Sequence, residues 1–324
     1  MMKTYRIPRS ELEISRIGYG CMHLSRAWDE APLTAGERSR THAMIDTALA
    51  QGINLFDHAD IYARGKSERL FGEVLRQRPN LRGQMVLQSK CGIRLAGDPD
   101  PGAPQRYDFS HAHIVASVEA SLQRLGTDYL DILLLHRPDP LGQPEEVAQA
   151  FDALHGAGKV RHFGVSNHTG AQIALLQRHV RQPLIINQVE LSLLHHVLID
   201  EGLMANQAGA PYLASGTLDY CRQHDILVQA WSPLASGRLA APLESMDETL
   251  RTTAELALQL AQTHGVEMEA ILLAWLLRHP AGIQPIVGTT HPERLIASCA
   301  GDTIEVSREQ WYALFAAARG HRVP

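Results

Sequence analysis

Short apolar runs, each ending in a polar residue or a glycine, recur along this chain and alternate with stretches of helical period. They are IGYGC (17–21), INLFD (53–57), MVLQSK (85–90), LDILLLH (130–136), VRHFGVSN (160–167), LIINQVE (184–190), ILVQAW (226–231) and QPIVG (284–288). Strands with so few polar interruptions are buried on both faces, which implies a parallel sheet. Eight strand–helix units close naturally into a (β/α)8 TIM barrel. The N-terminal TYRIPRSELEISRIG fits an extra β-hairpin over the barrel floor. No linker, low-complexity tract or composition shift divides the chain, so one domain spanning 1–324 is expected.

The intervening helices carry their own signals. In 111–126, Ile114, Val118, Leu122 and Leu125 share one face, and Gly126 stands where a C-terminal cap is expected. Val147, Ala150, Phe151 and Leu154 repeat that spacing in 145–156, and Thr169 can cap the helix carrying Ile173, Leu176 and Val180. EAILLAWLLRHP (269–280) is apolar nearly all round and stops at Pro280, as a buried helix would. An open dinucleotide-binding sheet is the competing architecture. Its fingerprint is absent: in GYGCMH (18–23) the third glycine is replaced by His23, and no acidic residue ends a following strand in the right place.

Charge and composition narrow the function. A net charge of −5 offers no basic field for a nucleic-acid backbone, and no apolar stretch approaches a membrane span. The N-terminus lacks the apolar core of a signal peptide, and Cys21, Cys91, Cys221 and Cys299 form no CxxC pair. A cytoplasmic protein with reduced thiols is expected. The 17 histidines invite a metal, but there is no HExxH and no HxH closing the first strand, so no metal site is expected.

In a barrel the strand C-termini face one pocket. Those positions hold Asp57, Lys90, His136, Ser166, Asn167, Gln188 and Trp231, with Tyr62 just beyond the second strand. Taken singly, each has a plainer reading. Asp57–Lys90 can be a structural ion pair, His136 a core histidine, Trp231 core packing and His58 filler. An acid, a base, an imidazole and a phenol in one register favour chemistry instead. Asp57 and Lys90 make each other's burial tolerable. Lys90 beside Tyr62 would lower the phenol from its reference near 10; a shift of about two units needs ~2.7 kcal/mol. An ammonium at about 4 Å supplies up to ~4 kcal/mol at an effective dielectric near 20, part of it cancelled by Asp57. Such a phenol suits protonation of a carbonyl oxygen that becomes an alkoxide, with His136 giving a second hydrogen bond. Hydride must come from a cofactor, because no side chain donates it.

The ordered set D57…Y62…K90…H136, LLHRPDP, GKVRHFGVSN, NQVE, AWSPLASGRL and PIVGTTHPERL resembles the aldo-keto reductase superfamily over essentially the whole chain. DHADIY, SKCGI and the ending GHRVP resemble the bacterial YdhF-type oxidoreductases in particular. The resemblance implies a barrel that binds NADP(H) and reduces a small carbonyl substrate. Asp57, Tyr62, Lys90 and His136 would be the catalytic tetrad, with Tyr62 as proton donor. Ser166, Asn167 and Gln188 would hold the nicotinamide carboxamide, and Trp231 would stack on its ring. Gly20, Met22 and Asp57 would border the cofactor at the first strands. Ser232, Leu234, Gly237 and Arg238 would cover the pyrophosphate. Gly288, Thr289, Thr290 and Arg294 would form the adenosine-phosphate site, at a helix N-terminus that favours an anion. Ala63 stands where the family often has glycine; Gly288 stands where many members carry a side chain near the phosphate, which leaves a preference for NADP resting mainly on Arg294. Loops 91–111 and 191–217 and the C-terminal tail are expected to line the substrate pocket; for the insertion 203–216, on the catalytic face, reshaping the substrate entrance and wrapping the surface both stay open. A barrel that binds NADP(H) as a sensor or partner subunit with little turnover is the alternative; oligomeric state is open.

Overall fold

A computed structural model of the protein describes residues 2–29, 31–204 and 215–324. The barrel strands are β3 (Gly18–Gly20), β4 (Leu55–Asp57), β5 (Val86–Cys91), β8 (Leu130–Leu135), β9 (Val160–Ser166), β10 (Leu184–Glu190), β11 (Leu227–Trp231) and β12 (Gln284–Val287). All pair in parallel and close on themselves in chain order, β12 beside β3. Seven fall within runs read from the sequence, β5 extends one residue past its run to Cys91, and the fold is the expected (β/α)8 barrel.

The expected hairpin is present: β1 (Thr4–Arg6) pairs antiparallel with β2 (Glu13–Ser15). Its Ile7, Leu12 and Ile14 pack with Leu55, Val86, Ile132 and Ile186 from inside the barrel, sealing the floor with apolar side chains. A second, larger core lies between strands and helices. The helices that matter below are α1 (Ala35–Ala50), α2 (Lys66–Gln77), α3 (His111–Leu125), α4 (Pro144–Gly156), α5 (Gly170–Gln177), α6 (Val197–Met204), α7 (Thr217–Gln223), α8 (Glu248–His264), α9 (Met268–Leu277), α10 (Pro292–Cys299) and α11 (Arg308–Arg319).

Local chemistry sets their ends. Thr169 and Gln172 cap α5 reciprocally, satisfying backbone donors that the first turn leaves free. Gly126 closes α3 with φ of 66°, a left-handed turn where a β-carbon is penalised. Helix α9 buries every residue except Glu269, as its all-round apolar pattern requires.

Loop 91–111 is partly ordered, with β6 (Ile93–Arg94) pairing antiparallel with β7 (Arg106–Tyr107). Residues 205–214 of the expected insertion 203–216 lie outside the described residues. All four cysteines are free and buried. No helix among the described residues is long and apolar enough to cross a membrane, and no group of three or more potential ligands could hold a metal ion.

Candidate active site

The strand C-termini deliver the site. Asp57 ends β4, Lys90 is the penultimate residue of β5, His136 follows β8, Ser166 ends β9, Gln188 lies in β10 and Trp231 ends β11. Tyr62 comes from the turn after β4, where Ala63 and Arg64 adopt φ of 49° and 54°. Glycine reaches that region without a β-carbon penalty, so Ala63 carries a strain there that glycine would avoid.

Lys90 is the hub of this group. Its Nζ donates to Asp57 Oδ2 at 2.7 Å, to the His58 carbonyl at 2.9 Å and to Tyr62 Oη at 3.0 Å. All three ammonium hydrogens are therefore used. The His136 ring meets the Tyr62 ring edge-on at 5.9 Å between centroids. Burial alone would depress the Lys90 ammonium; the neighbouring Asp57 and Tyr62 reverse this and raise it above its ordinary value. His136 is held well below the usual imidazole range by burial, then by the charges of Lys90 and Arg137, and so is neutral.

Tyr62 departs from the sequence-based arithmetic. Its pKa is raised, because burial outweighs the downward pull of Lys90, and Asp57 adds to the rise. An ion-pair calculation on the sequence has no access to that desolvation. The phenol consequently keeps its proton at neutral pH.

A cavity of about 680 Å³ opens above these groups, within the size range of small-molecule sites. Asp57, Tyr62 and His136 line it together with Gly20, Met22, Ser166, Asn167, Gln188 and Trp231. Ser232, Leu234 and Gly237, and Gly288, Thr289 and Arg294, line the same cavity. Arg294 has no hydrogen bond or ion pair among the described residues, so its guanidinium is available to an anion. Three expected residues stand elsewhere. Lys90 lies buried beneath the cavity rather than in its wall, Arg238 is exposed outside it, and the Thr290 hydroxyl accepts from Arg26 at 2.7 Å.

Ser166 and Asn167 are spent on one another and on the scaffold. Asn167 Nδ2 donates to Ser166 Oγ at 2.8 Å and to the His136 carbonyl at 3.2 Å. Its Oδ1 accepts from Trp231 Nε1 at 2.9 Å, which fixes the indole plane at the rim. Ser166 Oγ donates to the Gln188 carbonyl at 2.8 Å. His58 packs edge-on against Phe71 at 4.7 Å, and its carbonyl accepts from Lys90 Nζ at 2.9 Å.

The sequence reading missed several lining residues. Arg137 lies over the Trp231 ring at 5.4 Å, and its position directly after His136 was the available signal. Trp28, His23 and Leu272 also line the cavity, from segments that carried no strand-end signal. Loop 91–111 contributes Ile93, Gln105 and Tyr107 as expected. Among the described residues, none from 191–217 or the C-terminal tail lines it; α6 and α11 are instead tied to each other through Arg319 and Asp200 at 2.7 Å.

Comparison with known proteins agrees with this architecture. The family model described as "Aldo/keto reductase family" matches residues 16–318. The chain is 40% identical over 282 residues to oxidoreductase YdhF of Escherichia coli, covering 87% of this chain and 88% of YdhF. It is 36% identical over 314 residues to a 6-dehydroglucose reductase of Agrobacterium fabrum, covering 97% of each. The solved glycerol dehydrogenase of Gluconobacter oxydans superposes with a TM-score of 0.80 at 24% identity, over 98% of this chain and 95% of that one. A barrel closed on this buried group of side chains, with a family match across nearly its whole length, makes the chain a member of the aldo/keto reductase family of oxidoreductases.

Proposed function

We propose that this protein is an NADPH-dependent carbonyl reductase with Tyr62 as its proton donor. The observation that carries the reading is Lys90 Nζ lying 2.7 Å from Asp57 and 3.0 Å from Tyr62 beside a cavity of about 680 Å³. The residues present fit NADP(H). One cavity is lined by both Tyr62 and Arg294, and a β-carbon at Gly237 would meet nothing within 4 Å, so the backbone there is open to a ligand. Trp231 offers a face for the nicotinamide, Ser232, Leu234 and Gly237 line the same cavity, and Arg294 offers a cation for the 2′-phosphate. When bound, the cofactor would supply the hydride.

The chain's own residues would do the rest. Tyr62, kept protonated by burial, donates to the carbonyl oxygen as negative charge develops there. Lys90 is already hydrogen-bonded to the phenol oxygen and stabilises the phenolate left behind. Asp57 holds Lys90 in place. Neutral His136 can orient the same carbonyl without competing for the proton. The same groups run backwards as an alcohol dehydrogenase.

The relative from Agrobacterium fabrum is named for reducing a sugar carbonyl, which supports a small polar substrate here as well. The test is to follow loss of NADPH absorbance with a panel of aldehydes and aldoses, repeated with NADH. Turnover with a preference for NADPH is expected. Tight NADPH binding without turnover on any of them would instead mark the barrel as a cofactor sensor.

A further inference from the structure

Four glutamines are sealed inside the barrel, where layers of branched apolar side chains normally sit. Gln88, Gln229 and Gln284 are 0% exposed and Gln188 is 2% exposed. A buried amide left unsatisfied costs about 1–3 kcal/mol, so such a group persists only when its hydrogen bonds are arranged.

The arrangement has a fixed direction. Asp57 Oδ1 can only accept, and it faces Gln88 Nε2 at 2.6 Å and Gln188 Nε2 at 3.1 Å. The second hydrogen of each amide goes to Gln229 Oε1, at 2.9 Å from both. Gln229 Nε2 then donates to Gln88 Oε1 at 3.2 Å and to Gln284 Oε1 at 2.9 Å. Gln284 Nε2 ends the chain on the Ser15 carbonyl of the floor hairpin at 2.6 Å. Turning any one amide over would set acceptor against acceptor. With both its hydrogens committed inward, Gln188 has one free group: Oε1, which has no hydrogen-bond partner among the described residues, on a residue that borders the cavity.

We propose that Gln229 is a positioning residue that locks Gln188 with its carbonyl oxygen toward the cofactor, so that the site demands a hydrogen-bond donor there. The nicotinamide carboxamide NH2 supplies that donor. This inference rests on the NADP(H) reading above. It assigns selectivity for the carboxamide to a residue in the barrel interior that does not line the cavity. Shape alone would accept an acetyl group in place of the carboxamide; the fixed oxygen would not, since acetyl has no hydrogen to give.

The experiment measures dissociation constants of NADP+ and its 3-acetylpyridine analogue by quenching of protein fluorescence. The wild-type protein is expected to prefer NADP+ by about tenfold, equivalent to about 1.4 kcal/mol. Gln229→Met removes the acceptor that holds Gln188 and is expected to reduce the preference to within about twofold, mainly by weakening NADP+. Gln229→Glu is expected to restore it, because a desolvated carboxylic acid is neutral and offers both a carbonyl and a hydroxyl. Gly72→Ala, a destabilising change outside the barrel interior, should leave the preference intact. Where Gln229→Met does not fold, Gln229→Asn withdraws the same oxygen and carries the same expectation. Equal wild-type binding of the two dinucleotides, or an unchanged preference in Gln229→Met or Gln229→Asn, overturns the inference. Wild-type protein that binds neither NADP+ nor NADPH overturns the functional reading itself.

Discussion

Asp60, three residues beyond the strand end that carries Asp57, shows how burial governs single groups in this barrel. Its pKa is pushed from 3.8 to about 7, first by burial and then by the charge of Glu68, against the pull of Arg124. Its Oδ1 is buried without a partner. The folded state therefore keeps a proton that the unfolded chain releases. Stability from this group is complete below the unfolded pKa and is lost as pH rises through about 7. Asp60→Asn is expected to raise the melting temperature at about pH 8 and to change little at about pH 4; equal effects at the two pH values would remove the cause assigned here. Legibility at this scale divides along the same line. Asp57, Lys90 and His136 could be read from the sequence because strand ends mark them. The direction of the Tyr62 shift could not, since it depends on a depth of burial that emerges only when β4, β5 and β8 close around the phenol.

Helices α2 and α3 touch almost backbone to backbone, and Gly72 permits it. A β-carbon on Gly72 would lie 2.1 Å from the Arg124 carbonyl oxygen and 2.9 Å from the Leu125 carbonyl carbon. Helix propensity favours alanine over glycine by ~1 kcal/mol, but main chain cannot yield as a flexible side chain does. Gly72→Ala is expected to destabilise by about 1–3 kcal/mol in denaturant unfolding. Gly36→Ala, in α1 with nothing within 4 Å of the new carbon, should be neutral or stabilising by up to ~1 kcal/mol. The opposite signs check the packing argument, because propensity alone moves both variants the same way. The contact also aligns Arg124 with buried Glu68, whose carboxylate it meets at 2.7 Å while Ser89 donates to the other oxygen at 2.7 Å. Elements were the most legible scale. Strands announced themselves by apolar runs, and α3, α5 and α9 by period, cap or all-round apolarity. The short β6–β7 pair was not legible, since two residues on each side carry no period.

Closure of the barrel turns scattered strand ends into one mouth, and the polar interior links that mouth to the floor through Gln229 and Gln284. The apolar plug of Ile7, Leu12 and Ile14 keeps water from the floor, so the polar chain above it is satisfied by protein groups. The order of motifs made the barrel and its chemical end readable. The interior glutamines were not, because Gln88, Gln229 and Gln284 stand singly in three strands and meet only across the closed cylinder. The central claim is that Tyr62 gives up a proton while its neighbours hold it in place. The most direct measurement is single-turnover reduction of an aldehyde by Tyr62→Phe saturated with NADPH, alongside NADPH affinity by fluorescence quenching. Removing a positioned acid costs roughly 10²–10⁴ in rate. The expected result is a loss of that size with affinity within about twofold of wild type, and a near-normal rate would contradict the account.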